Sequence, residues 1–323
     1  MRKLEEITIE IIQKCSNNCI HCSSRSNMLC NNILDFETIK YAINDASFLG
    51  AKRINISGGE PFLHPDILNI IEYAKNKNME VYLYSSGILN IDNKYQSIDK
   101  DKILKLKDIG LDKIIFNIQA ITEDLYNTIM NTNGCLNLLK ESIKLCTSLG
   151  IYTEIHFVPM KINIEDIENI IHFCKEYKVN KISFLRLVLQ GRAKDNAKEI
   201  DLTQDDIIKF KQKVLNISEY INNEVDIRLG IPLTEKIDTN ICKAGREKIV
   251  LKYDGSILPC EVFKDIIYVL KDGKKIYPDN INLSTLIESY NTSKYLNKIR
   301  DDIDLILETK QCSNCPIVEL KYK

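Results

Sequence analysis

Residues 7–22 read ITIEIIQKCSNNCIHC, in which a strand-like run is followed at once by three cysteines. The run is rich in β-branched residues, which favour strands. The cysteines are Cys15, Cys19 and Cys22, and their spacing is CxxxCxxC. The sequence therefore predicts three thiols on the loop that leaves the first strand.

The composition limits the classes of protein to which the chain can belong. Its 323 residues are 44% hydrophobic, enough for one barrel-sized domain plus an appendage. The net charge of −1 argues against a nucleic-acid partner, and no apolar run is long enough to span a membrane. We expect a cytoplasmic protein. In a reducing compartment, its 11 cysteines indicate metal or redox work rather than disulfides.

Strand-like and helix-like segments alternate in the first two thirds of the chain. Six such units in succession predict the α/β class, with a parallel sheet curled into a partial (β/α)6 barrel of the TIM type. The predicted strands are residues 7–12, 52–57, 80–86, 112–119, 152–158 and 181–188.

Several of these strands alternate polar and apolar residues. Tyr82 and Tyr84 alternate with apolar neighbours in the third strand, as Glu154 and His156 do in the fifth. Strands buried on both faces are almost continuously apolar. The pattern predicts that the polar face lines a partly wet cavity inside the curl. The alternative is that the polar residues meet solvent at the strand ends.

After residue 200 the pattern changes to helices at 201–223 and 289–303 and to short strands around residues 248–260, where Asp254-Gly255 marks a hairpin turn. We expect a barrel domain at 1–200 and a small α+β domain at 201–323. The second domain is small and rich in cysteine, so a metal centre is expected to help hold it together.

The first three cysteines suit an iron–sulfur cube with one iron left open, because soft thiolates are its usual ligands. A zinc site is the alternative, and it would need a fourth ligand such as His21. His21 is adjacent to Cys22, which makes joint ligation of one ion awkward.

A second motif ends the second predicted strand, where Gly58, Gly59, Glu60 and Pro61 read GGEP. Glycines allow a close backbone approach, and the Glu60 carboxylate can pair with a ligand's ammonium group. The three cysteines lie one β/α unit upstream of this motif. With the two motifs in this order, the chain resembles the radical S-adenosylmethionine (SAM) enzymes.

Later segments fit this resemblance less sharply. The YSSG segment places Ser85 and Ser86 where the family contacts SAM, and FNIQA offers Asn117 and Gln119 in place of a commoner Ser-x-Asp-Gly. QGRA at 190–193 is also typical of the family, although it can equally be an ordinary glycine turn.

The resemblance implies that Cys15, Cys19 and Cys22 hold a [4Fe–4S] cluster whose open iron binds SAM. Reduction of SAM would give a deoxyadenosyl radical that takes a hydrogen atom from the substrate. A flavodoxin- or ferredoxin-type protein is the expected reductant. Glu154, His156 and Arg186 are our candidates for orienting substrate or moving a proton.

A second set of cysteines lies near the end of the chain. Cys242 and Cys260 frame C-x12-G-x4-C, and Cys312 and Cys315 form C-x2-C. Zinc competes for such a set on chemistry alone. The set resembles the twitch or SPASM region of radical SAM enzymes, which implies a second [4Fe–4S] cluster. That cluster would accept electrons or only stabilise the fold.

The resemblance leaves the reaction open. Our first expectation is oxidative modification of a ribosomally made peptide. The alternative is dehydrogenation of a small molecule, as in the aminocyclitol dehydrogenases. A metal-binding or electron-transfer protein without catalytic activity is a third hypothesis.

Overall fold

The computed structural model describes residues 3–220, 224–230, 233, 242–270 and 272–309. Within these residues, no helix has the length and apolar character needed to cross a membrane. Cys312 and Cys315 lie outside the described residues.

The strands are β1 (Glu6–Ile12), β2 (Arg53–Gly58), β3 (Glu80–Ser85), β4 (Ile88–Ile91), β5 (Lys94–Ser97), β6 (Lys113–Asn117), β7 (Thr153–Phe157), β8 (Lys181–Phe184), β9 (Asp226–Leu229), β10 (Lys248–Leu251), β11 (Ser256–Leu258), β12 (Tyr268–Val269), β13 (Lys275–Ile276) and β14 (Asp279–Asn280).

The helices are α1 (Phe36–Phe48), α2 (Ile67–Asn76), α3 (Lys100–Ile109), α4 (Glu123–Met130), α5 (Leu136–Ser148), α6 (Ile167–Glu176), α7 (Arg192–Asp195), α8 (Ala197–Ile200), α9 (Gln204–Tyr220), α10 (Leu286–Thr292) and α11 (Lys294–Thr309). Short 3₁₀ turns cover Pro61–Leu63, Ile164–Asp166 and Glu261–Phe263.

One large sheet organises the described part of the chain. Its strand order is β14-β11-β10-β1-β2-β3-β6-β7-β8-β9, and the pairs from β10 through β9 are all parallel. Helices follow the parallel strands, as the right-handed crossover between parallel neighbours requires. The predicted fold class and its six parallel strands are confirmed.

The polar face of the sheet lines a cavity, as the alternation predicts. In β1, Ile7, Ile9 and Ile11 are fully buried on the helix side. Thr8 lies on the other face, beside a cavity of about 600 Å³ that we call the lumen. Every strand of the parallel set contributes residues to the lining, namely β1, β2, β3, β6, β7, β8, β9 and β10. A cavity bordered by both edges of that set must lie inside a curved sheet.

The parallel sheet is wider than the sequence predicts. β9 pairs with β8, and β10 pairs with β1, so strands from beyond residue 200 extend both edges. Both strands have only four residues, too few for a clear periodic signal. The hairpin at Asp254-Gly255 is present, joining β10 to β11. The domain boundary at residue 200 stays a prediction.

Two local features differ from the prediction. Residues 88–97 form the hairpin β4–β5, whose turn residues Asp92 and Asn93 both have positive φ. Its signal was the Asp-Asn pair between strand-like runs. The predicted helix at 289–303 is divided into α10 and α11 at Ser293, whose extended backbone (ψ 123°) interrupts the helical hydrogen bonds.

The β4–β5 hairpin is held by one buried serine. Ser142 of α5 donates to the carbonyl of Gly87 at 2.6 Å and accepts from the N–H of Ile98 at 2.9 Å. Ser142→Ala leaves both groups without this partner, so we expect a loss of about 1–3 kcal/mol in the free energy of unfolding. Chemical denaturation measures it. Ser148→Ala, on the exposed end of the same helix, is the control and should cost less than about 0.5 kcal/mol. Equal losses would contradict the assignment.

Candidate active site

Residues 13–30, which we call the cysteine loop, leave β1 and are held by backbone hydrogen bonds. The N–H groups of Asn18 and Ile20 donate to carbonyls at the end of α4, at 3.2 and 2.9 Å. Cys15 and Cys19 are buried and Cys22 is half-buried, all as free thiols. Burial raises the pKa of Cys15 well above its usual range and that of Cys19 to about 12. These thiols become thiolates only beside a cationic centre.

The donor set suits a cluster better than a single ion. Within the described ranges, no three His, Cys, Asp or Glu side chains gather closely enough to hold one metal ion. A cube of four irons takes its thiolates at separate corners. Burial lowers the pKa of His21 to about 4, and its buried Nδ1 has no hydrogen-bond partner. The role of the three cysteines as ligands stays a prediction.

The GGEP glycines pack against the cysteine loop. A Cβ on Gly59 would lie 2.2 Å from the Lys14 carbonyl oxygen, and one on Gly58 2.3 Å from that of Ile12. The N–H of Gly59 donates to the Ile12 carbonyl at 2.6 Å. The sequence predicts a close approach to a ligand. In the structure the glycines approach the chain's own backbone, and their approach to a ligand stays a prediction.

Glu60 is fully buried and bound by the chain itself. Its carboxylate accepts from the Ser85 hydroxyl at 3.0 Å and from the N–H and hydroxyl of Ser86 at 2.7 and 2.5 Å. Burial nevertheless raises the pKa of Glu60. Pro61 is also buried, at the start of its 3₁₀ turn. Glu60 therefore supports the end of β3, and its expected contact with a ligand's ammonium group stays a prediction.

QGRA is more than a turn. A Cβ on Gly191 would lie 2.5 Å from the Ser23 carbonyl oxygen, so only glycine fits at this contact. Arg192 donates to the carbonyls of Cys19 and Ser26, each at 2.8 Å, and its N–H donates to that of Cys22 at 2.9 Å. Through these contacts, the QGRA segment that follows β8 holds the cysteine loop in place.

A cleft of about 320 Å³ lies between the cysteine loop and the ends of the strands. All three cysteines line it, together with Gly58, Gly59, Ser85, Ser86 and Asn117. The side chains of Asn17 and Ser26 and one oxygen of Glu10 line the same cleft, and none of these buried groups has a hydrogen-bond partner. Buried polar groups without partners are costly. The cleft therefore fits a polar ligand with both donors and acceptors.

Gln119 is not brought into this cleft. It is fully buried, its Oε1 accepts from the Val158 N–H at 2.7 Å, and its Nε2 donates to the His156 carbonyl at 3.2 Å. It also contacts the Asn117 side chain. Of the two predicted ligands in FNIQA, Asn117 lines the cleft and Gln119 supports it.

The candidate residues Glu154 and His156 meet in the lumen. Glu154 accepts from Lys113 at 2.7 Å, from Ser183 at 2.6 Å and from His156 Nε2 at 3.2 Å. Burial opposes ionisation, but His156, Lys113 and Ser183 together lower the pKa of Glu154. Burial lowers the pKa of His156, so its ring is neutral and Nε2 carries the proton.

Arg186, the third candidate, lies two residues beyond β8 and lines both the cleft and the lumen. Tyr84 and His156 also line both cavities, with their rings 5.4 Å apart. The cleft and the lumen are therefore adjacent and share these side chains as their common border.

The segment after Cys260 closes one side of the cleft, which the sequence did not predict. Lys264 donates to the Ser24 hydroxyl at 2.6 Å and pairs with Glu10, and both charged side chains are almost fully buried. Burial disfavours the charge of Lys264, but Glu10 raises its pKa above the usual value. Thr8 donates to Glu261 at 2.9 Å. No local motif marks these residues.

The second cysteine set is only partly described. Cys242 and Cys260 are half-buried, one before β10 and the other after β11. The N–H of Gly245 donates to the Pro259 carbonyl at 2.9 Å, which brings their neighbouring segments together. The predicted ligands Cys312 and Cys315 lie outside the described residues. The second cluster and its twitch or SPASM assignment remain predictions.

Known proteins resemble the chain in sequence and fold. The model of the Radical SAM superfamily matches residues 9–174, just over half of the chain. A probable GTP 3′,8-cyclase of Methanococcus aeolicus is 27% identical over 295 residues, covering 85% of this chain and 92% of its own. A GTP 3′,8-cyclase of Clostridium botulinum is 22% identical over 272 residues, covering 80% and 82%.

SuiB of Streptococcus suis, solved with S-adenosylmethionine, has a similar fold. The TM-score is 0.75 at 17% identity, and the match covers 93% of this chain and 68% of SuiB. At this identity the match is evidence for the fold alone.

Arg192 is expected to keep the cysteine loop competent to hold iron. Arg192→Gln removes two charge-assisted hydrogen bonds to loop carbonyls, each of about 1.5–3 kcal/mol. We expect a clear fall in iron and sulfide retained per chain after anaerobic reconstitution, and faster hydrogen exchange of the loop amides. Arg25→Gln is the control, since Arg25 makes an exposed pair with Asp195. Iron retention equal to that of the unmodified protein would contradict the role.

Proposed function

The chain belongs to the Radical SAM superfamily, and from that premise we propose that it removes a hydrogen atom from a small polar molecule bound in the lumen. When bound, a [4Fe–4S] cluster and SAM supply the one-electron reduction that yields a 5′-deoxyadenosyl radical. The protein's part is to hold these groups, orient the substrate and exclude side reactions.

Cys15, Cys19 and Cys22 are the proposed cluster ligands. The buried, unpartnered groups of Asn17 and Ser26 line the same cleft and suit a ligand such as SAM, which carries an ammonium group, a carboxylate and hydroxyls. Ser85, Ser86 and Asn117 complete the polar lining. Glu60 and Gln119 act behind them as positioning residues.

The observation that carries the proposal is that the cleft and the lumen lie side by side. Tyr84, His156 and Arg186 line both cavities, so a substrate in the lumen borders the site proposed for SAM. Radical transfer needs such contact between the two bound molecules. A metal-binding protein without a substrate would not need the second cavity.

Glu154 and His156 are proposed to position the substrate. With Nε2–H directed at the ionised Glu154, the neutral His156 offers Nδ1 as an acceptor. Lys113 balances the carboxylate charge. This arrangement can accept a hydrogen bond from a substrate hydroxyl, and the Glu154 carboxylate would stabilise the imidazolium formed if His156 took up a substrate proton.

A small polar substrate is preferred to a peptide. The lumen is deep in the sheet and lined by charged side chains, and the sequence relatives reported above are named for GTP. SuiB is also described bound to its precursor peptide, at 18% identity. Peptide modification, the second cluster and a flavodoxin- or ferredoxin-type reductant stay predictions.

Formation of 5′-deoxyadenosine tests the proposal. Anaerobically reconstituted protein with SAM and dithionite should produce it, and Cys19→Ala should reduce the yield to background because a cluster ligand is lost. Cys30→Ala is the matched control. Cys30 lies on the same loop, and its thiol donates to the Arg25 carbonyl and to Asn27 Oδ1, at 3.7 and 3.6 Å.

Two results would overturn the proposal. One is wild-type protein that binds iron but forms no 5′-deoxyadenosine. The other is a Cys19→Ala yield equal to that of Cys30→Ala.

A further inference from the structure

Each acidic side chain of the lumen contacts a cation. Glu154 pairs with Lys113 at 2.7 Å, and Glu261 pairs with Lys248 at 3.0 Å. The third, Glu6, lies between two cations, Arg53 at 3.4 Å and Lys248 at 3.6 Å.

Two further cations of the lumen lining, Lys181 and Arg53, are also paired. Lys181 contacts Asp226 at 2.6 Å, and Arg53 contacts Glu80 at 2.8 Å. Arg186 and Arg228 differ. Across the part of the chain that the structure describes, neither guanidinium makes a hydrogen bond or ion pair. Arg186 and Arg228 are therefore the guanidinium groups of the lining that this part of the chain leaves unpaired.

Both arginines lie beside the candidate active site. Arg228 on β9 is directly opposite Ser183 on β8, which is itself opposite His156 on β7. After burial, the charge of Arg228 contributes to the lowered pKa of His156. Arg186 lines the boundary between lumen and cleft.

An arginine in water needs no partner, and the side chain of Arg228 is exposed. The placement of the two residues argues for more than solvation. Two like charges in one concave, low-dielectric cavity focus a positive potential at its mouth. A guanidinium group also offers a rigid fork of N–H donors that matches the oxygens of a carboxylate or phosphate.

We propose that Arg186 and Arg228 form a subsite for an oxyanion of the substrate, either a phosphate or a carboxylate of a small molecule. The inference rests on the proposed function, because it names the chemistry of the molecule in the lumen. The anionic end would bind on the β8–β9 side. His156 and Tyr84 would then face the part of the substrate nearest the cleft.

Direct binding tests the subsite without any turnover. Isothermal titration of reconstituted protein with inorganic pyrophosphate or with citrate distinguishes phosphate from carboxylate recognition. Wild-type protein should bind one of them, more weakly as salt is added. Arg186→Gln and Arg228→Gln should each weaken binding by about tenfold or more, as expected for a lost charge-assisted pair. The double variant should not bind detectably.

Two further variants separate specific recognition from general charge. Arg228→Lys keeps the charge but loses the fork, so its affinity should lie between those of wild type and Arg228→Gln. Arg246→Gln removes one positive charge outside the lumen, where Arg246 pairs with Asp304 at 3.3 Å, and should bind as wild type does. Far-ultraviolet circular dichroism checks that each variant is folded.

The outcomes separate this inference from the proposed function. Wild-type protein that binds neither anion, or a double variant that binds as tightly as wild type, overturns the subsite. Anion binding that depends on the arginines, in protein that forms no 5′-deoxyadenosine from SAM, upholds the subsite and overturns only the radical reaction.

Discussion

The contact on which the site depends is the close approach of two backbones, that of the Gly58-Gly59 turn and that of the chain leaving β1. Side chains on either glycine would overlap carbonyl oxygens of the chain leaving β1, so the two segments can pack only without them. This contact fixes the start of the cysteine loop against the end of β2. Arg192 and the end of α4 then hold the rest of the loop. Three thiols from one loop can converge only if that loop is held from several sides.

The curvature of the sheet follows from the difference between the two faces of each strand, one apolar and the other polar. The apolar side of β1 is fully buried under helices, while Thr8 and Glu10 on the other side reach the cavities. In a flat sheet, the polar face would either meet water or be covered by helices, whose apolar faces offer no hydrogen-bond partners to its side chains. Curling around a polar lumen solves both problems, and it also directs the C-terminal ends of the strands at one another. Chemistry at those ends is the usual consequence of this architecture.

Much of this could be read from the sequence, and what could not has a physical reason. Alternation and β-branched runs predicted six parallel strands, because periodicity is a local property. The cysteine spacing and GGEP identified the cleft. The edge strand β9 was not predicted, and β10 was predicted only as a short strand of the second domain, because four residues do not indicate which strand they pair with. Lys264 was missed because its partner Glu10 is distant in sequence, and only the folded chain brings them together. The hydrogen bonds of Ser85 and Ser86 to Glu60 were missed for the same reason, and the contact of Glu60 with a ligand stays a prediction.

The site therefore contains two kinds of polar residue, which sequence motifs do not separate. Glu60, Gln119 and Arg192 have their polar atoms bound by the chain itself, so their contribution is to shape the cleft. Asn17 and Ser26 are buried in the cleft with polar atoms that no described protein group satisfies, and a bound polar ligand can supply the missing hydrogen bonds. In the lumen, every acidic side chain of the lining contacts a cation, while Arg186 and Arg228 have no partner among the described residues. A bound ligand would supply the partners for the polar and charged groups that the fold leaves unpaired.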